Sequence, residues 1–369
     1  MADAGQRNAD LVLTVRLLAR GLCDIYEQTQ SGMAVFQDAR MPPSARRACA
    51  RLSRHCVEAG VPDIGASIHL VMDRLGSALS EWGVPQWTGA FAYSDVVLGD
   101  PELGVPSADC ETLARGAGSE INAQEELHHE QLRGTVQAYP ERDRVEAYTA
   151  LREFVVRRPA LPYAELSTWV VAAGHIPALR FLSSLYRPAP HAAYFGGKLR
   201  TCSHCGALLW PDPKDSVREG RCRIRQCRLS HPTAAIGEEI DAPETWRAAP
   251  PAVLAYWVGP AQDELLIHDT LVAAGRQVHL YPMMDAADIG LDGLALGIDV
   301  KTYASPLLLG SRLTRSIGRL EIFARRIIAV PDYKLSQNRD YLRQLKDAYQ
   351  GSASLEFRTT SDVLGEFAR

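Results

Sequence analysis

The sequence predicts a multidomain protein with an N-terminal all-α domain, a small four-cysteine zinc module and a C-terminal α/β domain with a mixed central sheet. Apolar residues recur at spacings of three and four from about residue 8 to 190. Four of the eight cysteines lie between Cys202 and Cys227, and β-rich runs alternate with helical stretches after the proline-rich segment that ends near residue 252. We therefore expect domains at 1–190, 196–235 and 252–369.

The composition is that of a soluble globular protein. Of the 369 residues, 46% are hydrophobic and 23% are charged, which argues against a disordered chain. No run approaches 18 apolar residues, and the opening MADAGQRNAD lacks a basic region followed by an apolar one. We expect a cytoplasmic protein without a membrane anchor.

The net charge of −4 is distributed unevenly along the chain. Residues 1–195 carry a net −5, residues 196–235 a net +5 and residues 236–369 a net −4. The basic segment coincides with the cysteine cluster. A basic island of this kind is an electrostatic footprint for a polyanion, although the net charge of the whole chain would argue against one.

The N-terminal domain contains one motif that invites a metal-site hypothesis. EELHHE, from Glu125 to Glu130, holds two overlapping Glu-x-x-His pairs, which a helix places on one face. Carboxylate-bridged di-metal bundles use such pairs, but they need a second copy on another helix, and none is present. A solvated polar helix face is the better interpretation, and the sequence assigns this domain no chemistry of its own.

The cysteine module has the ligand spacing of a zinc site. Cys202-x2-Cys205 and Cys222-x4-Cys227 are separated by 16 residues, and Gly206 fits the turn after the first pair. Four cysteines fill a tetrahedral site, so we expect a structural zinc. His204 and His231 are alternative ligands, and unligated thiols or a redox site are the competing interpretations.

Arginines surround the cysteine module and predict contact with nucleic acid. The five arginines lie close in sequence to Trp210; they are Arg218, Arg221, Arg223, Arg225 and Arg228. Guanidinium groups beside an aromatic ring suit a phosphate backbone with exposed bases. A solvated face or a protein-docking patch explains the same pattern.

The C-terminal domain begins with a predicted helix and a predicted β-hairpin. The helix runs from about Ala261 to Ala274 and places Glu264 on its buried stripe; a strand follows at about 277–281. Asp292-Gly293 then indicates a two-residue hairpin turn, which sets Asp288 opposite Gly297 and Asp285 opposite Val300. Asp288 then shares a sheet face with Asp299 and Lys301, because side chains alternate along a strand.

This acidic hairpin predicts a site for a hard divalent cation. Asp288 and Asp299 offer carboxylate oxygens, Lys301 adds a point charge, and Glu264 arrives from the preceding helix. Mg²⁺ or Mn²⁺ in such a site activates a water for phosphodiester hydrolysis. Asp285 and Asp292 stay open as alternatives for the first acid, and a solvated strand face is the non-catalytic interpretation.

The rest of the domain is predicted as a helix, a strand, a second helix and a final strand. The first helix covers LLLGSRLTRSIGRLEIFARR and carries Arg312, Arg315 and Arg319 on one side. The strands lie at RIIAVPDY and LEFRTT, and the second helix near 337–349. The three arginines could face DNA phosphates, and surface solvation explains them nearly as well.

The order of helix, strand, acidic hairpin ending in Ile-Asp-Val-Lys, helix and strand resembles the PD-(D/E)xK restriction-endonuclease family. The resemblance implies a restriction-endonuclease-like fold in which Asp288, Asp299 and Lys301 form the catalytic set and Glu264 matches a helical glutamate that many members have. The chain departs from the pattern in lacking Pro-Asp at the first acid and in having Asp at the second.

The domain order and the IDVKTYASP motif are also similar to nucleases associated with bacterial PIWI-RE islands. That resemblance implies a PIWI-like protein and a helicase as partners in defence against invading DNA. The expected function is a metal-dependent DNA endonuclease. The sequence leaves open whether the protein forms a homo-oligomer. The alternative is a non-catalytic DNA- or protein-binding subunit that uses the basic zinc module.

Overall fold

The computed structural model describes residues 2–30, 40–89, 91–115, 124–212 and 219–368. The chain divides into two compact units, each built from several segments. The first unit comprises Met1–Ile121, Thr302–Ser316 and Asp340–Ser352; the second comprises Asn122–Lys301, Ile317–Arg339 and Ala353–Arg369. Within the described ranges, no helix combines the length and apolarity needed to cross a membrane.

The N-terminal region is helical, as the spacing of its apolar residues predicts. Its helices are α1 (Ala2–Gln30), α2 (Pro43–Ala59), α3 (Ile68–Met72), α4 (Ala108–Arg115), α5 (Gln124–Val136), α6 (Arg144–Arg157), α7 (Tyr163–Ala172) and α8 (Leu179–Leu185). Helices α1 to α4 belong to the first unit, and α5 to α8 to the second.

Close packing of α1, α2 and α4 forms the core of the first unit. Helix α2 buries a stripe at spacings of three and four that includes Ala45, Leu52 and Cys56. A Cβ atom at Gly21 would lie 2.5 Å from the Ala45 Cα atom, so only glycine allows α1 and α2 to approach this closely. Trp87 is fully buried in the same core.

Short strands, and not open linkers, occupy the proline-rich segments on either side of the cysteine module. The strands up to residue 248 are β1 (Gly99–Asp100), β2 (Val105–Pro106), β3 (Ala160–Pro162), β4 (Arg187–Pro188), β5 (Leu199–Cys202), β6 (Leu209–Trp210), β7 (Arg221–Cys222), β8 (Ile236–Ile240) and β9 (Trp246–Ala248). Strand β8 pairs with β5, and β9 pairs with β3 and β4. Backbone pairing between distant segments therefore orders the proline-rich stretches at about 185–200 and 232–252. Helix α9 (Arg225–Ser230) lies within the module.

The C-terminal part alternates helices and strands. The helices are α10 (Pro251–Val253), α11 (Gly259–Ala273), α12 (Pro282–Asp285, a four-residue turn with positive φ angles at Met283 to Asp285), α13 (Pro306–Arg315), α14 (Asp332–Gln337), α15 (Tyr341–Ala348) and α16 (Thr360–Phe367). The strands are β10 (Val278–Leu280), β11 (Ile289–Leu291), β12 (Leu296–Val300), β13 (Arg325–Val330) and β14 (Glu356–Thr359). A π-helical turn at Leu254–Val258 joins α10 to α11. The helix predicted near 337–349 is shorter and follows a separate helix, α14.

These five strands form the predicted mixed sheet. Their order is β10-β11-β12-β13-β14; the pairs from β10 to β12 are antiparallel, and those from β12 to β14 are parallel. The middle strands β12 and β13 are mostly buried, which explains their continuous apolar runs. The sheet places the acidic hairpin, β11 and β12, directly after α11 and β10.

Candidate active site and cysteine cluster

Three of the predicted site residues meet where β11 begins and β12 ends. Asp288 immediately precedes β11, Asp299 lies in β12 and Lys301 follows it. The backbone N–H of Val300 donates to Asp288 Oδ2 at 2.7 Å. The Lys301 Nζ atom lies 2.9 Å from Asp299 Oδ2 and 4.0 Å from Asp288 Oδ2, so the lysine faces both acids.

The hairpin register differs from the predicted one. Ile289 pairs with Ile298 and Leu291 with Leu296, so the connection is a four-residue loop, 292–295, and not a two-residue turn. The carbonyls of Leu294 and Ala295 accept hydrogen bonds from Ala324 and Arg325, which draws these two residues out of the hairpin ladder. Asp288 is therefore level with Asp299 and not with Gly297. A shift of two residues preserves the sheet face, so the predicted grouping of side chains survives.

Glu264 joins this group from α11. Its side chain is only 2% exposed, and the Tyr281 hydroxyl donates to its Oε2 atom at 2.8 Å. Burial raises the pKa of Glu264, and the charges of Arg152 and Lys301 oppose that rise. Burial, together with the negative charges of Glu264 and Asp299, raises the pKa of Asp288 well above its usual range. These mutually repelling carboxylate oxygens are the donor set that Mg²⁺ or Mn²⁺ prefers.

Asp285 and Asp292 have other partners. Asp285 accepts hydrogen bonds from Arg152 and Tyr148, and its Oδ2 atom lies 3.0 Å from His129 Nδ1. Asp292 lies in the hairpin loop, 3.6 Å from Arg276. The structure thus brings Asp288, and neither alternative, next to Lys301.

The segment that carries Asp285 has an unusual backbone. Tyr281, Met283, Met284 and Asp285 all have positive φ angles, between 50° and 66°. Each such non-glycine residue costs about 1–3 kcal/mol and persists only where surrounding contacts hold it. The side-chain bonds from α5 and α6 to Asp285 are contacts of that kind.

Arg152 is a site residue that reasoning from the sequence missed. Its side chain, from α6, is buried, and Nη2 lies 3.8 Å from Glu264 Oε2 and 4.0 Å from Asp288 Oδ1. The guanidinium also lies over the Tyr281 ring, 3.7 Å from its centroid. The available signal was its position on the apolar stripe of α6, where a charged residue is out of place.

The four predicted cysteines form one buried cluster. Their Sγ atoms all lie within 4.8 Å of one another; Cys202 and Cys227 are 3.8 Å apart, and Cys205 and Cys222 are 3.6 Å apart. Four sulfurs at about 2.3 Å from one zinc ion are separated by about 3.8 Å. Gly206 has the left-handed conformation expected after the first pair, with φ of 73°. The cluster can bind a metal such as zinc.

Two family models match the chain. The model described as pPIWI_RE three-gene island domain Y matches residues 14–162, and the model described as REase associating with pPIWI_RE matches residues 261–368. The chain is a pPIWI_RE island protein. No curated protein and no solved structure gives a significant match.

In this pPIWI_RE island protein, part of the EELHHE motif is buried, which makes the prediction of a solvated face wrong for His129. His129 Nδ1 lies 3.0 Å from the Tyr148 hydroxyl, and its ring packs against Trp257 with centroids 5.1 Å apart. The side chains of Glu125 to Leu127 lie outside the described residues. His129 is buried because α5 packs on α6 and on the π-helical turn before α11, which periodicity alone does not reveal.

The arginines of the cysteine module have different surroundings. Arg221 is exposed, Arg223 lies over Trp210 with its Cζ 4.2 Å from the ring centroid, and Arg225 begins α9. Arg228 donates to the Cys222 carbonyl at 2.8 Å, which supports the module itself. Arg218 lies outside the described residues.

The arginine stripe predicted after the hairpin does not lie on one helix. Helix α13 ends at Arg315 and carries Arg312, whereas Arg319 lies in a separate 3₁₀ turn, Gly318–Ile322. Gly318, with φ of 61°, lies between the two elements. Arg319 donates to the Met284 carbonyl at 3.3 Å, beside the strained segment before β11.

Proposed function

We propose that this pPIWI_RE island protein is a metal-dependent DNA endonuclease of the PD-(D/E)xK type that acts in the cytoplasm against invading DNA. The observation that carries the proposal is the meeting of Asp288, Asp299 and Lys301 at the end of one hairpin, joined by Glu264. The sheet order, with α11 before the hairpin and α13 after it, fits the same family.

Each residue of the site has a role in phosphodiester hydrolysis. Asp288, Asp299 and Glu264 would hold Mg²⁺ or Mn²⁺, which supplies an acidified water and offsets charge on the leaving oxygen. Lys301 orients the attacking water and stabilises the charge that develops on the phosphoryl oxygens, since its ammonium already faces both aspartates. Tyr281 and the Val300 N–H keep Glu264 and Asp288 oriented.

The cysteine cluster would hold a structural zinc. Cys202, Cys205, Cys222 and Cys227 supply four soft ligands, which leave no open coordination position for a substrate. Such a site stabilises the module and orders the arginines around it. We assign Arg221, Arg223, Arg225, Arg312, Arg315 and Arg319 to contact with nucleic acid.

The two matched families belong to an island system, which favours action together with other island proteins. Their descriptions name a three-gene island and a REase that associates with pPIWI_RE. We infer that a PIWI-like protein and a helicase act with this chain. The chain takes part either as a single copy or as a homo-oligomer.

Cleavage of plasmid and single-stranded DNA tests the enzymatic proposal. With Mg²⁺ or Mn²⁺ present, Asp299→Ala and Lys301→Ala should each lower the cleavage rate by about 100-fold or more. Asp292→Ala is the matched control, because this acid belongs to the same hairpin but pairs with Arg276. Equal cleavage by all four proteins, with or without metal, would contradict the proposal.

A second candidate function is a non-catalytic nucleic-acid-binding subunit. The observation that favours it is the Arg223–Trp210 stack beside the exposed Arg221. In that case Arg221→Ala with Arg223→Ala weakens DNA binding and abolishes defence in cells, whereas Asp299→Ala leaves both intact. Loss of defence with Asp299→Ala and retained DNA binding favours the endonuclease.

A further inference from the structure

A buried arginine occupies one side of the acid cluster. Arg152 Nη2 lies 3.8 Å from Glu264 Oε2 and 4.0 Å from Asp288 Oδ1, and Nη1 is bonded to Asp285. The two oxygens of Asp288 thus face different cations: Oδ1 faces Arg152, and Oδ2 faces Lys301. The guanidinium is next to the carboxylates of both Glu264 and Asp288.

This guanidinium is fixed in place from several directions. The Tyr281 ring lies beneath it, and Asp285 is itself held by Tyr148 and His129. Arg152 Nε is buried without a hydrogen-bond partner, so its position follows from charge and stacking more than from a complete hydrogen-bond set. Arginine keeps its charge in proteins, so Arg152 is a permanent cation of the site.

Formal charges show how many further cations the cluster needs. Its four acids are Glu264, Asp285, Asp288 and Asp299, and its two bases are Arg152 and Lys301. With all four acids ionised, as a bound metal would keep its carboxylate ligands, four negative and two positive charges leave a net −2, which one divalent cation neutralises. A second divalent cation would bring this partly buried cluster to a net +2, at a large cost, whereas without Arg152 the same two ions would bring it only to +1.

We propose that Arg152 takes the place of a second metal ion, so that the acid cluster binds a single divalent cation. Two-metal nucleases place two ions about 3.5–4 Å apart between shared carboxylates. Here a fixed guanidinium lies against the two carboxylates that such an ion would need, Glu264 and Asp288. Arg152 acts through these acids as a positioning residue. The inference rests on the proposed function only in assigning the cluster to a metal.

Counting Mn²⁺ by electron paramagnetic resonance tests this inference on the full-length, zinc-loaded protein. The wild type should bind one Mn²⁺ that Asp299→Ala removes. Arg152→Met leaves four acids facing one lysine and should bind two Mn²⁺, whereas Arg152→Lys keeps the charge and should bind one. Arg157→Met is the matched control on the same helix, because Arg157 pairs with Glu153 and Asp269; it should leave the count at one.

Two Mn²⁺ at this cluster in the wild type, or none, overturns the inference whether or not Arg152→Met folds. An unchanged count of one in folded Arg152→Met overturns it as well. Failure of the proposed function is distinguishable: a wild type that binds one Mn²⁺ but cuts no DNA removes the nuclease assignment alone. A wild type that cuts DNA with two Mn²⁺ removes the role of Arg152 alone.

Discussion

Tyr281 links the acid cluster to the backbone that precedes the hairpin. Its hydroxyl donates to Glu264, its ring supports Arg152, and its own φ of 50° begins the left-handed segment. One side chain therefore orients an acid and a base at once. The contribution of the Tyr281 hydroxyl to stability can be measured apart from that of the ring, because phenylalanine keeps the ring and removes only the hydroxyl.

Tyr281→Phe should lower the free energy of unfolding by about 1–3 kcal/mol, because buried Glu264 loses a hydrogen-bond donor. Urea denaturation measures this change. Tyr163→Phe, at a tyrosine that is 45% exposed, is the control and should change the stability little. A loss no larger than that of the control would show that Glu264 does not depend on Tyr281.

His55 gives the first unit a defined pH dependence. It is buried and lies 3.1 Å from the Thr14 hydroxyl, and burial lowers the pKa of its imidazole below the usual 6.5. The folded state therefore favours neutral histidine. Its contribution is complete above the unfolded pKa of 6.5 and is lost as the pH falls from there through the folded pKa.

The difference in unfolding free energy between wild type and His55→Gln should accordingly change between about pH 7 and pH 5, with the wild type losing more stability. Urea unfolding at several pH values measures it. The paired comparison is needed because burial lowers the pKa of other histidines too, including His128 and His175. Parallel pH curves for the two proteins would rule out this role of His55.

At the scale of elements, β12 depends on close contact with the segment before β13. A Cβ atom at Gly297 would lie 2.6 Å from the Phe323 ring, which is fully buried. Gly297 is two residues before Asp299, so any displacement of the strand also moves the proposed metal ligand. The packing of β12 on Phe323 therefore affects both the stability of the protein and the position of Asp299.

Gly297→Ala should destabilise the protein by about 1–3 kcal/mol through overpacking and should lower cleavage as well. Gly365→Ala is a control for which we expect a change in stability of the opposite sign. Gly365 lies exposed in α16, and a Cβ atom there would meet open space, so alanine should stabilise the protein by about 0.5–1 kcal/mol. Thermal unfolding of both variants measures the contrast, and equal shifts would contradict it.

At the scale of the whole molecule, the cysteine cluster ties together segments that are distant in sequence. Strand β5, which carries Cys202, pairs with β8, and α9, which carries Cys227, packs on α11. Helix α11 in turn carries Glu264. Loss of the metal should therefore destabilise α11 as well as the cysteine module.

Purified protein should contain about one zinc per chain, and Cys222→Ser should lose it. Removal of the metal by a chelator should lower the melting temperature, since binding free energy of a structural zinc contributes to folding. Cys23→Ser, at a partly buried cysteine outside the cluster, should keep the zinc. Full zinc content in Cys222→Ser would contradict the four-cysteine assignment.

The sequence by itself predicted the helical N-terminal region, the mixed sheet and the four-cysteine cluster. These features depend on local periodicity and ligand spacing, which can be recognised within short stretches of the sequence. The same periodicity grouped Asp288, Asp299 and Lys301 on one face even though the predicted turn was two residues too short. An even shift in register leaves the face unchanged, so the grouping was robust to that error.

Only the tertiary structure decided which more distant groups complete the site. Arg152 and His129 come from helices that precede the hairpin by more than a hundred residues, and nothing in their local sequence points to Asp285 or Glu264. The hairpin loop, likewise, is lengthened by hydrogen bonds from residues 324 and 325. Spacing determines which face a side chain occupies, whereas packing between distant segments determines which charges meet there.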